Sequence, residues 1–336
     1  MKNLFGQAHF TEDLTLGGNE DFSNLALAIF RRQATQNPVY AAYLGHLKVD
    51  AAKVRSISEI PFLPISFFKS HVLKSGEFAE TFIFESSGTT GSINSRHYIK
   101  DISSYLANAE NNFREAYGDP SAYCFLALLP SYLERGNSSL VAMADHLINL
   151  SQHPMGGFFL YDFKKLHTVL SQLESQGQSV ILLGVTYALI DFAAEYPMNL
   201  QKTIVMETGG MKGRKKELTR AELHAFLKAN LGVESIHAEY GMTELQSQAY
   251  SKGEGIFRPS STMKVLLRST DDPFEVWESH ENKGKTGAIN VIDLANEDSI
   301  SFIATDDLGR FTGDGGFEIL GRIDNADMRG CSLLSL

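Results

Sequence analysis

Between Tyr123 and Tyr240 short apolar runs alternate with longer segments of helical period, and this alternation restricts the fold more than any other feature. Tyr123–Leu129 is nearly continuous in apolar residues and stops at Pro130, which suits a strand covered on both faces. Further strands are expected at Ser179–Leu183, Thr203–Glu207 and Ser235–Glu239. Helices are expected at Asn137–Leu150, Phe163–Glu174, Tyr187–Glu195 and Arg220–Ala229. Such repetition predicts an α/β architecture, layered around largely parallel sheets with helices on their faces.

The pattern changes near residue 260. Short strands with turn signals are expected at Met263–Leu267, Phe274–Glu278, Ala288–Asp293, Ile300–Ala304 and Phe317–Leu320, which predicts a small antiparallel β-subdomain. Upstream, Asp21–Ala34 reads as an amphipathic helix, and Pro61, Pro64 and Phe67-Phe68 suggest an ordered, buried connection. A helix is expected over Ser103–Tyr117 with Ser103 as its N-cap.

With 336 residues, 43% of them hydrophobic, the chain is long enough for a large core. A net charge of −10 argues against broad nucleic-acid or anionic-membrane binding. Two cysteines, Cys124 and Cys331, are too few for a disulfide framework and suit a reducing compartment. No apolar run reaches membrane-spanning length and no signal-peptide pattern opens the chain, so a cytoplasmic location is expected.

Five segments carry chemistry. Ser86-Ser87-Gly88-Thr89-Thr90-Gly91 follows the β-prone Thr81–Phe84, and its exposed backbone N–H groups and hydroxyls suit a polyphosphate. It lacks the lysine of a P-loop, since Ser92 follows Gly91, and the run equally suits a surface linker. Met206-Glu207-Thr208-Gly209-Gly210-Met211-Lys212 stands where a strand ends; a double glycine there lets a planar base approach, or simply turns the chain. Lys212 or Arg214 can reach a phosphate, or belong to a solvated helix start. Tyr240-Gly241-Met242-Thr243-Glu244 joins a hydroxyl donor to a carboxylate of the kind that holds Mg²⁺, although Thr243 also suits a helix N-cap. Thr305-Asp306-Asp307-Leu308-Gly309 and Gly321-Arg322-Ile323-Asp324 each follow or end a β-prone run.

In this order, the Ser86, Tyr240, Thr305 and Gly321 segments resemble the adenylate-forming superfamily of acyl-CoA synthetases and firefly-type luciferases, from about residue 80 onward. The resemblance implies that ATP is bound, with adenine along Gly209-Gly210 and Tyr240 as a wall beside it. It implies Thr243 at the α-phosphate and Glu244 at Mg²⁺. Asp307 is implied at both ribose hydroxyls, Arg322 at ribose or phosphate, and Asp324 at an interdomain hinge, with Asp306 as a turn residue.

Two departures narrow it. Ser95-Arg96 replaces the usual Pro-Lys after the glycine loop, and the chain is expected to lack the small C-terminal domain, leaving a large domain over 1–322 and a tail over 323–336. Both features, with Thr208-Gly209-Gly210-Met211-Lys212, are similar to the acyl-protein synthetases (LuxE-type) of bacterial fatty acid reductase complexes. That similarity implies Cys331 as acyl acceptor and a reductase as partner. Arg329 and Gly330 would favour a mobile thiolate there, whereas Leu333 and Leu334 suit a buried small hydrophobe. Cys124 falls in an apolar strand and reads as core.

The expected reaction is Mg-ATP-dependent formation of an acyl-adenylate from a carboxylic, preferably fatty, acid, with Arg96, Lys212 and the metal offsetting charge, then transfer to a thiol. Loops around Gly156–Phe159 and Gly184–Tyr187 are expected to line the acyl pocket. CoA or a carrier protein as acceptor, and a non-catalytic nucleotide-binding scaffold, are the rivals. His146, His153, His167, His224, His237 and His280 show no metal-ligand spacing. Ser86 and Ser87 lack a nucleophile-elbow context.

Overall fold

The computed structural model describes residues 19–86, 93–130, 136–209, 218–279 and 282–323. Helix α1 (Asn19–Gln36) covers the expected Asp21–Ala34 segment, and a second helix, α2 (Pro38–His46), follows directly. Asn37 makes that break by accepting from the Tyr40 N–H at 3.1 Å, with Pro38 in the first turn, where its missing N–H costs nothing. Strand β1 (Leu63–Pro64) and the short helix α3 (Phe67–Ser70) form the ordered connection; Phe68 is buried and Phe67 is partly so.

Strands β2 (Phe82–Glu85) and β3 (Arg96–Ile99) pair antiparallel as a separate two-stranded sheet. Helix α4 (Ile102–Tyr117) is capped by Asp101, whose carboxylate accepts from the Ser103 N–H at 2.9 Å. The cap is therefore two residues earlier than expected, because an aspartate outcompetes the serine that follows it.

The alternation then unfolds as expected, except that the short β5 stands where a loop was expected: β4 (Cys124–Leu128), α5 (Ser139–Ser151), β5 (Gly157–Phe158), α6 (Phe163–Ser175), β6 (Val180–Val185), α7 (Thr186–Glu195), β7 (Thr203–Thr208), α8 (Arg220–Leu231) and β8 (His237–Tyr240). Strands β5, β4, β6, β7 and β8 lie side by side and parallel. Every residue of β4 and β6 is buried, the continuous apolar pattern of strands covered by helices on both faces. Cys124 is among them, and burial pushes its thiol up to about 12.

The antiparallel part comprises β9 (Ala249–Ser251), β10 (Ile256–Pro259), β11 (Met263–Arg268), β12 (Val276–Trp277), β13 (Thr286–Asp293), β14 (Phe302–Phe311) and β15 (Phe317–Arg322). It joins the parallel part through the antiparallel β8–β9 pair, so thirteen strands among the described residues form one sheet. Strand β14 runs well past the expected Ile300–Ala304, because β13 and β15 flank it and satisfy its backbone. Asp306 is consequently a strand residue, not a turn residue; its carbonyl accepts from the Ile323 N–H at 2.7 Å. Gly309 is required by this crowding: a Cβ there would lie 2.8 Å from Ile289 and 3.1 Å from the Glu318 carbonyl.

One hydrophobic core fills the space between the parallel strands and α5–α8. A second lies under α1 and α2, where Phe302 meets Phe30 and Phe62 edge to face. No helix among the described residues is long and apolar enough to cross a membrane.

Candidate functional site

The carboxyl ends of β6, β7 and β8 stop level with one another: Val185 is opposite Thr208, and Thr208 is opposite Glu239. Ligands of open α/β sheets collect beyond such ends. The Thr186 hydroxyl lies 2.8 Å from the Gly209 carbonyl and 3.2 Å from Glu207 Oε2. Gly209 adopts a φ of +68°, which turns the chain away from the strand. Thr208 donates to Glu239 Oε2 at 2.5 Å. Burial, with the Glu207 carboxylate nearby, raises the Glu239 carboxyl to about 7. Glu207 is itself buried, with Arg220 Nε at 3.3 Å and His224 Nε2 at 3.5 Å.

Strand β8 leads into Tyr240-Gly241-Met242-Thr243-Glu244. The Tyr240 ring is buried edge-on against Phe257 and Phe317, and its hydroxyl donates to Asp307 Oδ2 at 2.9 Å. Asp307 is 8% exposed; burial raises its carboxyl, opposed by Arg322 and the Tyr240 hydroxyl. Arg322, directly across from Asp307 in the β14–β15 ladder, brings Nε to 3.4 Å from Oδ1, while its side chain stays 80% exposed. Gly241 has no room for a side chain, since a Cβ would lie 2.4 Å from Glu239 Oε1.

The turn closes with the Leu245 N–H donating to the Met242 carbonyl at 3.1 Å. Asn296 donates to the Glu244 carbonyl at 2.8 Å. Asp293 accepts from the N–H groups of Gln246 and Ser247, at 2.7 and 3.1 Å. The Glu244 carboxyl is buried and raised by desolvation, opposed first by a hydrogen bond from Ser95.

The β2–β3 hairpin packs beside this turn. Its ends are fastened by Ser86: the Ser86 N–H donates to the Ser95 carbonyl at 3.1 Å, and the Ser86 hydroxyl accepts from the Ser95 N–H at 2.9 Å. Arg96 stands opposite Glu85 in the hairpin and pairs with it at 3.2 Å, its side chain 59% exposed. His97, the next residue, is fully buried. Its Nδ1 is 2.9 Å from the Thr243 carbonyl oxygen and its Nε2 is 2.9 Å from Asn296 Oδ1. Burial drives the ring down to about 4, against these two contacts.

Of the residues expected in the site, Tyr240, Asp307 and Arg322 meet directly, and Thr243 and Glu244 lie on the same turn beside Ser95 and His97. Gly209 ends the neighbouring strand. Ser87, Gly88, Thr89, Thr90, Gly91, Gly210, Lys212, Asp324 and Cys331 lie outside the described residues. The sequence reading missed His97, Asn296 and Asp293. Arg96-His97-Tyr98-Ile99 carries two polar residues and a partner strand across a loop, so its strand character was masked. His237 sits at the start of β8, the end away from Tyr240, and meets the Tyr117 hydroxyl at 3.0 Å. His146 meets Glu110 at 3.1 Å. Both are structural.

No family model matches the chain, and no curated protein matches it. Solved structures do. ATP-bound MatB from Rhodopseudomonas palustris is 16% identical with a TM-score of 0.53, over 71% of this chain and 47% of that one. An ATP-bound RpMatB-BxBclM chimera is 16% identical with a TM-score of 0.55, over 71% and 47%. The long-chain-fatty-acid-CoA ligase FadD1 from Archaeoglobus fulgidus is 14% identical with a TM-score of 0.50, over 72% and 51%. The chain thus spans about half the length of these structures. At such identities the likeness is one of fold: the mixed α/β fold of the N-terminal domain of adenylate-forming enzymes.

Proposed function

We propose that the protein activates a carboxylic acid with ATP and passes the acyl group to a thiol. The observation that carries this reading is the convergence of Tyr240 and Arg322, from two separate segments, on the buried carboxylate of Asp307. A carboxylate with two oxygens suits the vicinal diol of a ribose. The base would lie beyond the carboxyl ends of β7 and β8, beside Gly209, and the glycine-rich run after Ser86 would supply N–H groups for phosphates.

In the first half-reaction an oxygen of the acid attacks the α-phosphorus, the bond to the β-phosphate breaks, and pyrophosphate leaves. Thr243 donates its hydroxyl to an α-phosphate oxygen, while Arg96 and Lys212 offset the charge that builds there. The exposed Arg96 side chain exchanges Glu85 for phosphate. Glu244 fits a magnesium ion: its buried carboxylate is raised by desolvation and takes a hydrogen bond from Ser95, and Mg²⁺ prefers one or two carboxylates completed by substrate phosphates. When bound, Mg²⁺ would draw negative charge from the phosphates.

In the second half-reaction a thiolate attacks the acyl carbon, the carbon–oxygen bond to phosphate breaks, and AMP leaves. We take Cys331 as that thiol on the similarity to acyl-protein synthetases, with Arg329 two residues before it in the sequence to favour the thiolate. The thioester would then pass to a partner reductase. Coenzyme A is the second reading, and the CoA-ligase description of FadD1 favours it. A long-chain acid is favoured by the same description.

The test is exchange of radiolabelled pyrophosphate into ATP, with Mg²⁺ and a panel of carboxylic acids. Acid-dependent exchange is expected, together with hydroxylamine-sensitive labelling that Cys331→Ser abolishes without loss of exchange. No exchange with any acid would remove the reading; exchange with label retained in Cys331→Ser would move the acceptor elsewhere.

A further inference from the structure

The hairpin β2–β3 is not hydrogen-bonded into the main sheet, yet it brackets the glycine-rich run. Something must set its distance from the turn Tyr240–Glu244, since both are needed on the same phosphates. Two side chains bridge that gap, two residues apart and therefore on one face of the strand. Ser95 bonds the Glu244 carboxyl, and His97 bonds the Thr243 carbonyl. Both are buried, so water does not compete for these contacts.

The geometry fixes which atoms meet. The Thr243 carbonyl only accepts, so His97 Nδ1 carries a proton and donates to it. Asn296 turns its amide nitrogen to the Glu244 carbonyl and sets Oδ1 2.9 Å from His97 Nε2, a contact that carries no hydrogen bond while the single proton of the neutral ring is on Nδ1. The edge of the ring also meets Phe68, with centroids 5.5 Å apart, so its orientation is fixed by packing as well. One imidazole thereby touches the residue before Glu244 and the amide that holds Glu244.

We propose that His97 is a positioning residue, coupling the hairpin that brackets the glycine-rich run to the turn that carries Thr243 and Glu244. The coupling rests on the adenylation reading only for what the two parts act upon. A shift of the hairpin moves the turn through the ring, and a shift of the turn moves the hairpin.

The test compares His97→Leu, His97→Asn and His97→Gln. In the nucleotide-free protein, amide hydrogen exchange at Met242–Leu245 and along Arg96–Ile99 should rise together by about tenfold or more in His97→Leu. His97→Asn, whose amide nitrogen reaches the Thr243 carbonyl from the Nδ1 position, should restore protection, and His97→Gln should restore less. In pyrophosphate exchange, kcat should fall about tenfold in His97→Leu while the KM for ATP changes less than about threefold, and His97→Asn should recover most of the rate. If His97→Leu fails to fold, the order Asn above Gln carries the test. Unchanged turn protection in His97→Leu, or Gln restoring better than Asn, overturns the proposal. Absence of exchange activity in the wild type with the protection pattern intact would sink adenylation and leave the coupling standing.

Discussion

Tyr240 and Asp307, 67 residues apart in the chain, share a buried hydrogen bond of 2.9 Å between hydroxyl and carboxylate. One oxygen of the proposed ribose-binding carboxylate is therefore already held, and the other faces the exposed Arg322 guanidinium at 3.4 Å. The carboxylate is preorganised before any ligand arrives, with its orientation set by a ring packed against Phe257 and Phe317.

Removing the hydroxyl should cost stability. Tyr240→Phe leaves Asp307 buried with one donor fewer, a loss of about 1.5–3 kcal/mol for a hydrogen bond to a charged group. Urea unfolding of wild type and variant measures it. An unchanged midpoint would mean the bond contributes nothing.

Glu239 makes stability depend on pH. Its folded pKa is raised to about 7 from an ordinary 4.5, so the native state holds the proton more tightly than the unfolded chain. Its contribution is therefore fully present below about pH 4.5 and lost as pH rises to about 7. Glu239→Gln keeps an acceptor for Thr208 and carries no charge. It should flatten this part of the pH–stability curve and gain up to about 3 kcal/mol at pH 8, the shift converted at 1.36 kcal/mol per unit. Equal slopes for the two proteins between pH 5 and 7, roughly the window set by that shift, would contradict the assignment.

Gly309 should resist substitution. Alanine there would press on Ile289 and on the Glu318 backbone, and overpacking of this kind costs about 1–3 kcal/mol. Because Gly309 is next but one to Asp307 on β14, the variant should also weaken nucleotide binding. A variant as stable as wild type would show that the strands can part without penalty.

The parallel half of the fold was readable because its central strands, Cys124–Leu128 and Val180–Val185, are continuous apolar runs bounded by helical period. The antiparallel half was readable in kind but not in extent. Strand β14 continues through Thr305–Phe311, where the polar Thr305 and Asp307 are buried and Leu308 is only partly so, a pattern that the flanking β13 and β15 impose and the residues do not announce. Likewise, Tyr240, Asp307 and Arg322 were expected in one site from their segments, but the bond between Tyr240 and Asp307 was not, since tertiary register decides it. His97 was invisible for a different reason. Its importance comes from Thr243 and Asn296, 146 and 199 residues away, and nothing local announces either contact.

Titration of AMP into the folded protein by calorimetry tests the nucleotide site most directly. Wild type should bind AMP at a single site, and Asp307→Ala should bind it about tenfold to a hundredfold more weakly, the loss of hydrogen bonds from a ribose to a charged acceptor. Folded wild-type protein that takes up no AMP, or an Asp307→Ala variant that binds it as well as wild type, would contradict the site described here.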